Sequence, residues 1–258
     1  MNNTATSVMT LWQREIVRFY RDRSRVIGGL VPPIIFWFFI GSGLGSSFQV
    51  GTGERLSYIQ YFFPGTLVLI FLFTAIFSTI SLIEDKKEGF LQSVLVAPIP
   101  RLAIVLGKVL GAATLAFLQG IPFLLLATFA GIRFHAYSLA ASLVILLCVA
   151  FILASIGFII AWKLESTQGF HAIMNMALIP MWLLSGALFP VNELPLWLEW
   201  IVKINPLTYC VAALQYTLLE PGTVEGLPSL SLSVLIIVFF CAASFFTAVT
   251  VARKGGDL

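Results

Sequence analysis

Six apolar stretches, each long enough to cross a bilayer, run through this chain, and the basic residues between them fall almost entirely on one side. A span needs about 20 apolar residues to cover the hydrocarbon core. Inside lipid each backbone polar group must be satisfied within its own segment, so such stretches fold as helices. The spans read as about 26–45, 58–83, 102–130, 138–162, 170–189 and 229–251. The expected fold class is therefore all-α integral membrane, a single domain over residues 1–258. Charged residues make up only 10% of the chain, against roughly 25% in soluble domains.

Loops that stay in the cytoplasm are enriched in Lys and Arg. The leader before the first span carries Arg14, Arg18, Arg21, Arg23 and Arg25; Lys86, Lys87, Arg101 and Lys108 surround the second-to-third connection; Lys163, Arg253 and Lys254 follow later spans. That places 12 of the 15 basic residues on one face and leaves Arg55, Arg133 and Lys203 on the other. The bias predicts cytoplasmic termini and a multi-pass protein of the cell (inner or plasma) membrane. The spans read as free of carboxylates, and their one charge, Lys108, lies near enough to an end to snorkel. An ion-driven carrier needs ionisable groups at membrane depth, so energy for any transport is expected from outside the chain. Tyr58, Tyr61, Tyr137, Trp162 and Tyr209 sit near span ends and read as interfacial anchors. The small-residue spacings Gly41/Gly45, Gly107/Gly111 and Ala112/Ala116/Gly120 suit close helix approach.

Three segments are not spans. Residues 5–25 place Val8, Leu11, Trp12, Ile16 and Phe19 on one helical face with Arg14, Arg18, Arg21 and Arg25 opposite, as in a helix lying in the membrane interface. Residues 84–101, EDKKEGFLQSVLVAPIPR, read as a short helix with Phe90/Val94 and Leu91/Leu95 pairs, ended by Pro98 and Pro100. Its apolar content asks for a groove to occupy. Residues 190–228 lie on the opposite side and hold two apolar pieces, 194–204 and 206–220, too short to cross and better suited to re-entrant or interfacial helices capping an outer opening.

The run EDKKEGFLQSVLVAPIPRLAIVLGKVL resembles the cytoplasmic signature of ABC-2 type transporter permeases, the membrane subunits of drug or polysaccharide ABC exporters. The later run LLSGALFPVNELPLWLEWIVKINPLTYCVAAL is similar to the family's second landmark, Ser-Gly, Phe-Pro, then Asn-Pro-Leu-Thr-Tyr. Gln215 departs from it, since many relatives carry an arginine there. The resemblance implies a channel of two six-span subunits, a homodimer or paired homologues, with separate cytoplasmic ABC ATPase subunits, exporting amphipathic drugs or lipid-linked glycans. It makes the helix at 88–96 the coupling helix, with Glu84, Asp85, Glu88, Gly89, Phe90, Leu91 and Val94 expected at the ATPase contact. Gly89 would let that segment approach closely, and Phe90 and Val94 would fill the groove.

Catalytic signals are lacking. No GxxxxGK[ST] occurs, Gly107-Lys108 being followed by Val109, so ATP is expected on the partner subunit and no cofactor on this chain. Cys148, Cys210 and Cys241 show no metal-ligand spacing, His135 and His171 have no neighbouring partner, and no metal, catalytic or nucleic-acid site is expected. Thr74, Ser78, Thr79, Asn175 and Ser185 along the second and fifth spans are candidate path-lining residues. The alternative function is a membrane scaffold or assembly subunit, or a lipid-modifying enzyme without a recognisable catalytic cluster.

Overall fold

A computed structural model of the chain describes residues 2–43, 56–133, 135–191, 194–219, 224 and 226–254; Gly45 and Arg55 of the sequence reading lie outside them. Among the described residues there are ten α-helices and no strand. Six are long and apolar enough to cross a membrane: α2 (Arg23–Gly43), α3 (Tyr58–Lys87), α5 (Arg101–Leu125, carried on to Thr128 by a 3-10 turn), α6 (Ala136–Lys163), α7 (Thr167–Trp182, carried on to Ala187 by a π turn) and α10 (Leu230–Lys254). They coincide with the six predicted spans to within a few residues. Four shorter helices complete the chain: α1 (Asn2–Arg21), α4 (Phe90–Val96), α8 (Leu196–Ile204) and α9 (Pro206–Leu218).

The bundle is built around α3. Its apolar stretch is 89% buried inside the chain, against 22% for α2 and for α10, so α3 is a central post and the other two present most of their surface outward. At one end of the post Phe63 stacks on Phe123 at 4.7 Å and both meet Trp37 edge-on. The Trp37 indole N–H donates to Ile59 O at 3.1 Å, satisfying the one polar atom that this aromatic knot buries. Prolines 32, 33, 64, 122 and 180 stand inside helices, which a bundle tolerates when neighbouring helices supply the lost contacts.

One sequence expectation changes. Tyr58 and Tyr61 are not outward anchors: each is 1% exposed, and their hydroxyls donate to Leu188 O at 2.7 Å and Gly186 O at 2.6 Å. Trp162 and Tyr209 are buried too, and of the five only Tyr137 faces outward. A tyrosine near a helix end packs inward when the neighbouring helix breaks there and offers free carbonyls. Helix α1, in turn, has a partner for its apolar face within the chain. It lies along α5, where a Cβ on Gly107 would sit 2.6 Å from Leu11 Cβ and one on Gly111 would sit 2.8 Å from Glu15 Cβ. The Gly107/Gly111 spacing is thus the seat of α1.

Gly65 of α3 carries the tightest contact with backbone. A Cβ there would lie 2.8 Å from Ala187 Cα, beside the Trp182 N–H bond to Gly65 O at 2.8 Å. Gly65→Val is expected to lower stability by about 1–3 kcal/mol through overpacking, read as a fall in the unfolding temperature in detergent. Gly43→Ala, with nothing within 4 Å of the added carbon, should leave it unchanged.

Candidate functional site

Helix α3 does not stop at residue 83. It runs on through Glu84, Asp85, Lys86 and Lys87, although carboxylates in a last turn oppose the helix dipole by about 0.3–1 kcal/mol each. Cations on two other helices reverse that cost. Arg14 grips Asp85 with both guanidinium nitrogens, at 2.9 and 2.6 Å, the bidentate geometry that makes arginine–carboxylate pairs strong. Arg18 reaches Asp85 at 2.5 Å, Glu84 at 2.9 Å and Glu88 at 3.2 Å. Arg25 pairs with Glu84 at 2.5 Å and with Asp22 at 2.8 Å.

Lys108 stands at the centre. It is 5% exposed and binds Glu15 at 2.6 Å and Asp85 more closely still, while Ser81 donates to Glu15. The snorkelling expectation fails here, whereas the predicted spans do stay free of carboxylates, since Asp85 lies two residues beyond 58–83 and Glu15 is on α1. Asp85 is fully buried and Glu15 is 3% exposed, so Lys108 finds its counter-charges in the chain. Four cations, Arg14, Arg18, Arg25 and Lys108, meet five carboxylates, Glu15, Asp22, Glu84, Asp85 and Glu88. Burial by itself would lower the Arg14 pKa, but Asp85, then Glu15 and Glu88, hold it above the ordinary value. One signal for this cluster was present in the sequence. Glu15 lies midway between Leu11 and Phe19 at i+4 spacing, inside the apolar stripe of α1, and Lys108 was the one charge in a span awaiting a partner.

The cluster also seats α4. The Arg14 guanidinium lies 3.7 Å from the centre of the Phe90 ring, and Leu91 is 4% exposed. Gly89 begins α4 at φ +75° with nothing within 4 Å. Its place is explained by a left-handed turn that a side chain with a Cβ resists. Of the residues expected at a partner contact, Asp85 and Leu91 are therefore turned inward. Phe90 and Val94 are half-buried, and Glu88 is exposed. Val96, 86% exposed, and the exposed Gln92 and Ser93 form the outer face of α4.

At the opposite end the second landmark resolves into hydrogen bonds. Ser185 Oγ donates to Trp182 O at 2.6 Å within the π turn, and Gly186 adopts φ +80° there. Asn205 caps α9 by accepting from Leu207 N–H at 3.0 Å, ahead of Pro206 at the first helical position. The Asn205 amide also donates to Met181 O at 2.5 Å, Thr208 to Val202 O at 2.8 Å and Tyr209 to Lys203 O at 2.8 Å. The Asn-Pro-Leu-Thr-Tyr run thus joins α8 to α9 and docks both on α7. Helix α9 is buried almost throughout, whereas α8 exposes Leu196, Trp197, Trp200 and Ile204.

The candidate path-lining residues do not share a surface within one chain. Thr74 donates to Gln119 at 2.5 Å, Ser78 and Thr79 are buried, Ser185 belongs to the π turn, and Asn175 is exposed on α7. His171 lies edge-on to Phe77, and His135 precedes α6. Among the described residues no group of three or more His, Cys, Asp or Glu is placed to hold a metal ion.

A six-span bundle carrying this pair of landmarks is a polytopic membrane protein by architecture. The chain belongs to the ABC-2 type transporter family, whose model matches residues 6–219. It is 27% identical over 81% of its length to a putative transport permease, ycf38, of Cyanophora paradoxa, covering 73% of that protein. It is 24% identical to nodulation protein J of Rhizobium leguminosarum bv. viciae, over 95% of this chain and 93% of the relative. It is also 25% identical to the inner membrane transport permease YadH of Escherichia coli K12, over 91% of each.

Removing one partner from a buried ion pair costs about 3–5 kcal/mol, because the remaining charge is stranded. Lys108→Met should therefore destabilise the chain strongly. Glu15→Gln combined with Lys108→Met should recover at least about 1 kcal/mol of that loss. Thermal unfolding of the four members of the cycle in detergent measures the coupling, and strict additivity would remove Lys108 from the centre of the cluster.

Proposed function

We propose that this chain is the permease subunit of an ATP-driven ABC exporter, forming the translocation path while a separate cytoplasmic ATPase subunit supplies the energy. The observation that carries the reading is the family membership together with α4, a short helix with an open outer face held to the bundle by the Arg14–Phe90 contact and the buried ion pairs. Nucleotide-driven closure of an ATPase pair moves membrane helices only through a stiff contact, and α4 is stiffly seated. In this reading Glu88, Gln92, Ser93 and Val96 meet the ATPase, whereas Asp85, Phe90 and Leu91 hold α4 in place from within.

The path lies between two such subunits, along α7. This span has the lowest mean hydropathy of the six, 1.3, and exposes Asn175. Polar groups at membrane depth face protein or water rather than lipid. A neutral path of this kind suits amphipathic or bulky cargo over small ions. The basic end of the bundle faces the cytoplasm, in the cell membrane.

Two experiments test the reading. Val96→Asp should weaken association with the ATPase about tenfold, a change of about 1.4 kcal/mol, and abolish export while leaving thermal unfolding unchanged. Wild-type assembly and export by that variant would remove α4 from the contact, and nucleotide hydrolysis by the purified chain alone would contradict the separate motor. In a cysteine-free background, Lys203→Cys should react with an impermeant maleimide on whole cells and Lys254→Cys should not. The reverse pattern inverts the orientation.

A further inference from the structure

Thr208, Tyr209 and Thr217 of α9 all donate to main-chain carbonyls. Gln215, on the same helix, does not. It is 2% exposed, and both polar atoms of its amide, Oε1 and Nε2, are buried without a hydrogen-bond partner. Burying an amide costs stability unless it is hydrogen-bonded, and an orphan of this kind in a native structure calls for a physical reason.

Its neighbour supplies one. The Gln215 amide faces the Tyr61 hydroxyl but does not meet it in hydrogen-bond geometry. Tyr61 gives its proton to Gly186 O instead, at 2.6 Å. A phenol has one proton to donate, so Tyr61 serves the Gly186 carbonyl or the Gln215 carbonyl oxygen, never both. The Gly186 side of this choice is adjustable. Gly186 stands at φ +80° inside the π turn Leu183–Ala187, against which α9 packs, and π turns are rare insertions that recur at functional sites. Pro180, just before the turn, has no N–H with which to fasten it to the preceding helix. Rewinding the turn into α-helix would carry the Gly186 carbonyl away from Tyr61.

We propose that Tyr61 is a two-position hydrogen-bond switch where α3, α7 and α9 meet: its hydroxyl holds Gly186 O in this state and Gln215 Oε1 in a second state, in which the α7 turn is released. The hydroxyl exchanges one carbonyl for another, so Tyr61 loses no hydrogen bond in the exchange. The stranded amide penalises this state alone, and its relief offsets the loss of the contact at Gly186. Two arrangements balanced in this way interconvert, and a small bias selects between them. Nucleotide, cargo and partner subunits have no part in the exchange, so the switch does not rest on the transport reading.

Hydrogen–deuterium exchange of the full chain in detergent, read by mass spectrometry over residues 183–188, tests the switch. Gln215→Leu nearly keeps the side-chain volume but offers no carbonyl to receive the proton. Exchange at the turn should slow about tenfold, equivalent to about 1.4 kcal/mol against opening. The unfolding temperature should rise, because the orphan amide is gone. On a Tyr61→Phe background, which lacks the donor, the same substitution should change exchange by no more than about twofold. The first comparison stands even where the double variant fails to fold. Unchanged or faster exchange in Gln215→Leu, a lower unfolding temperature, or a slowing that persists without the Tyr61 hydroxyl overturns the proposal.

Discussion

Lys108 and Asp85 constrain the rest of this molecule. Each is buried in a place where an isolated ion would be several kcal/mol too costly, and each is tolerable only because the other is there with Glu15 and Arg14. The four groups come from three helices, α1, α3 and α5. Separating any of these helices strands a charge, so the three behave as one body at the basic end. The same arrangement explains why α3 stays helical past residue 83 and why a glutamate is acceptable inside the apolar stripe of α1. It also accounts for the glycines at 107 and 111, since the ion pairs require α1 to lie close on α5.

The opposite end is held by a different chemistry. There the chain breaks several times, at the π turn, at Pro195 and at Asn205, and each break frees backbone carbonyls. Tyr58, Tyr61 and Asn205 take up three of these, at Leu188, Gly186 and Met181. Trp182 adds a bond to Gly65 O across the α3–α7 crossing. Because the acceptors are main-chain atoms, the side chains that reach them must have particular sizes. The two landmark runs therefore read as structural joints: they fix where α7 ends and how α8 and α9 return to it.

Much of this architecture was legible in the sequence, and the failures share a cause. Span length and apolar content set the six helices, and Pro98, Pro100 and Pro206 marked the helix boundaries around α4 and α9, because these are local properties. The ionic cluster was not legible, because its paired members lie up to 93 residues apart and meet only after α1 has docked on α5. Lys108 was judged by its distance from a span end when what mattered was the carboxylates facing it. Tyr58 and Tyr61 were judged by position along the chain, and whether a side chain faces lipid or protein depends on the neighbouring helix. The short helix expected over 88–96 begins only at Phe90, because Glu88 caps α3 and Gly89 turns the chain between them. Division of the segment into inner and outer faces required the Arg14–Phe90 contact, which no periodicity within α4 reveals.

Helix α3 joins the two ends. At 1.5 Å per residue its 30 residues reach about 45 Å, with the acidic last turn in the ion-pair cluster and Tyr58 and Tyr61 at the far end gripping the π turn of α7. Burial on nearly all sides leaves it little freedom to bend along most of this length. Pro64 is the exception, since it has no N–H to donate to the preceding turn. It lies between Tyr61 and the Gly65–Ala187 crossing, a few residues from the joints it would have to serve. On the proposed function, a force applied at α4 would pass along α3 as a rigid displacement up to Pro64. There it either carries the α7 turn with it or bends the last two turns of the post, and the two tyrosine hydrogen bonds to Gly186 and Leu188 favour the first course.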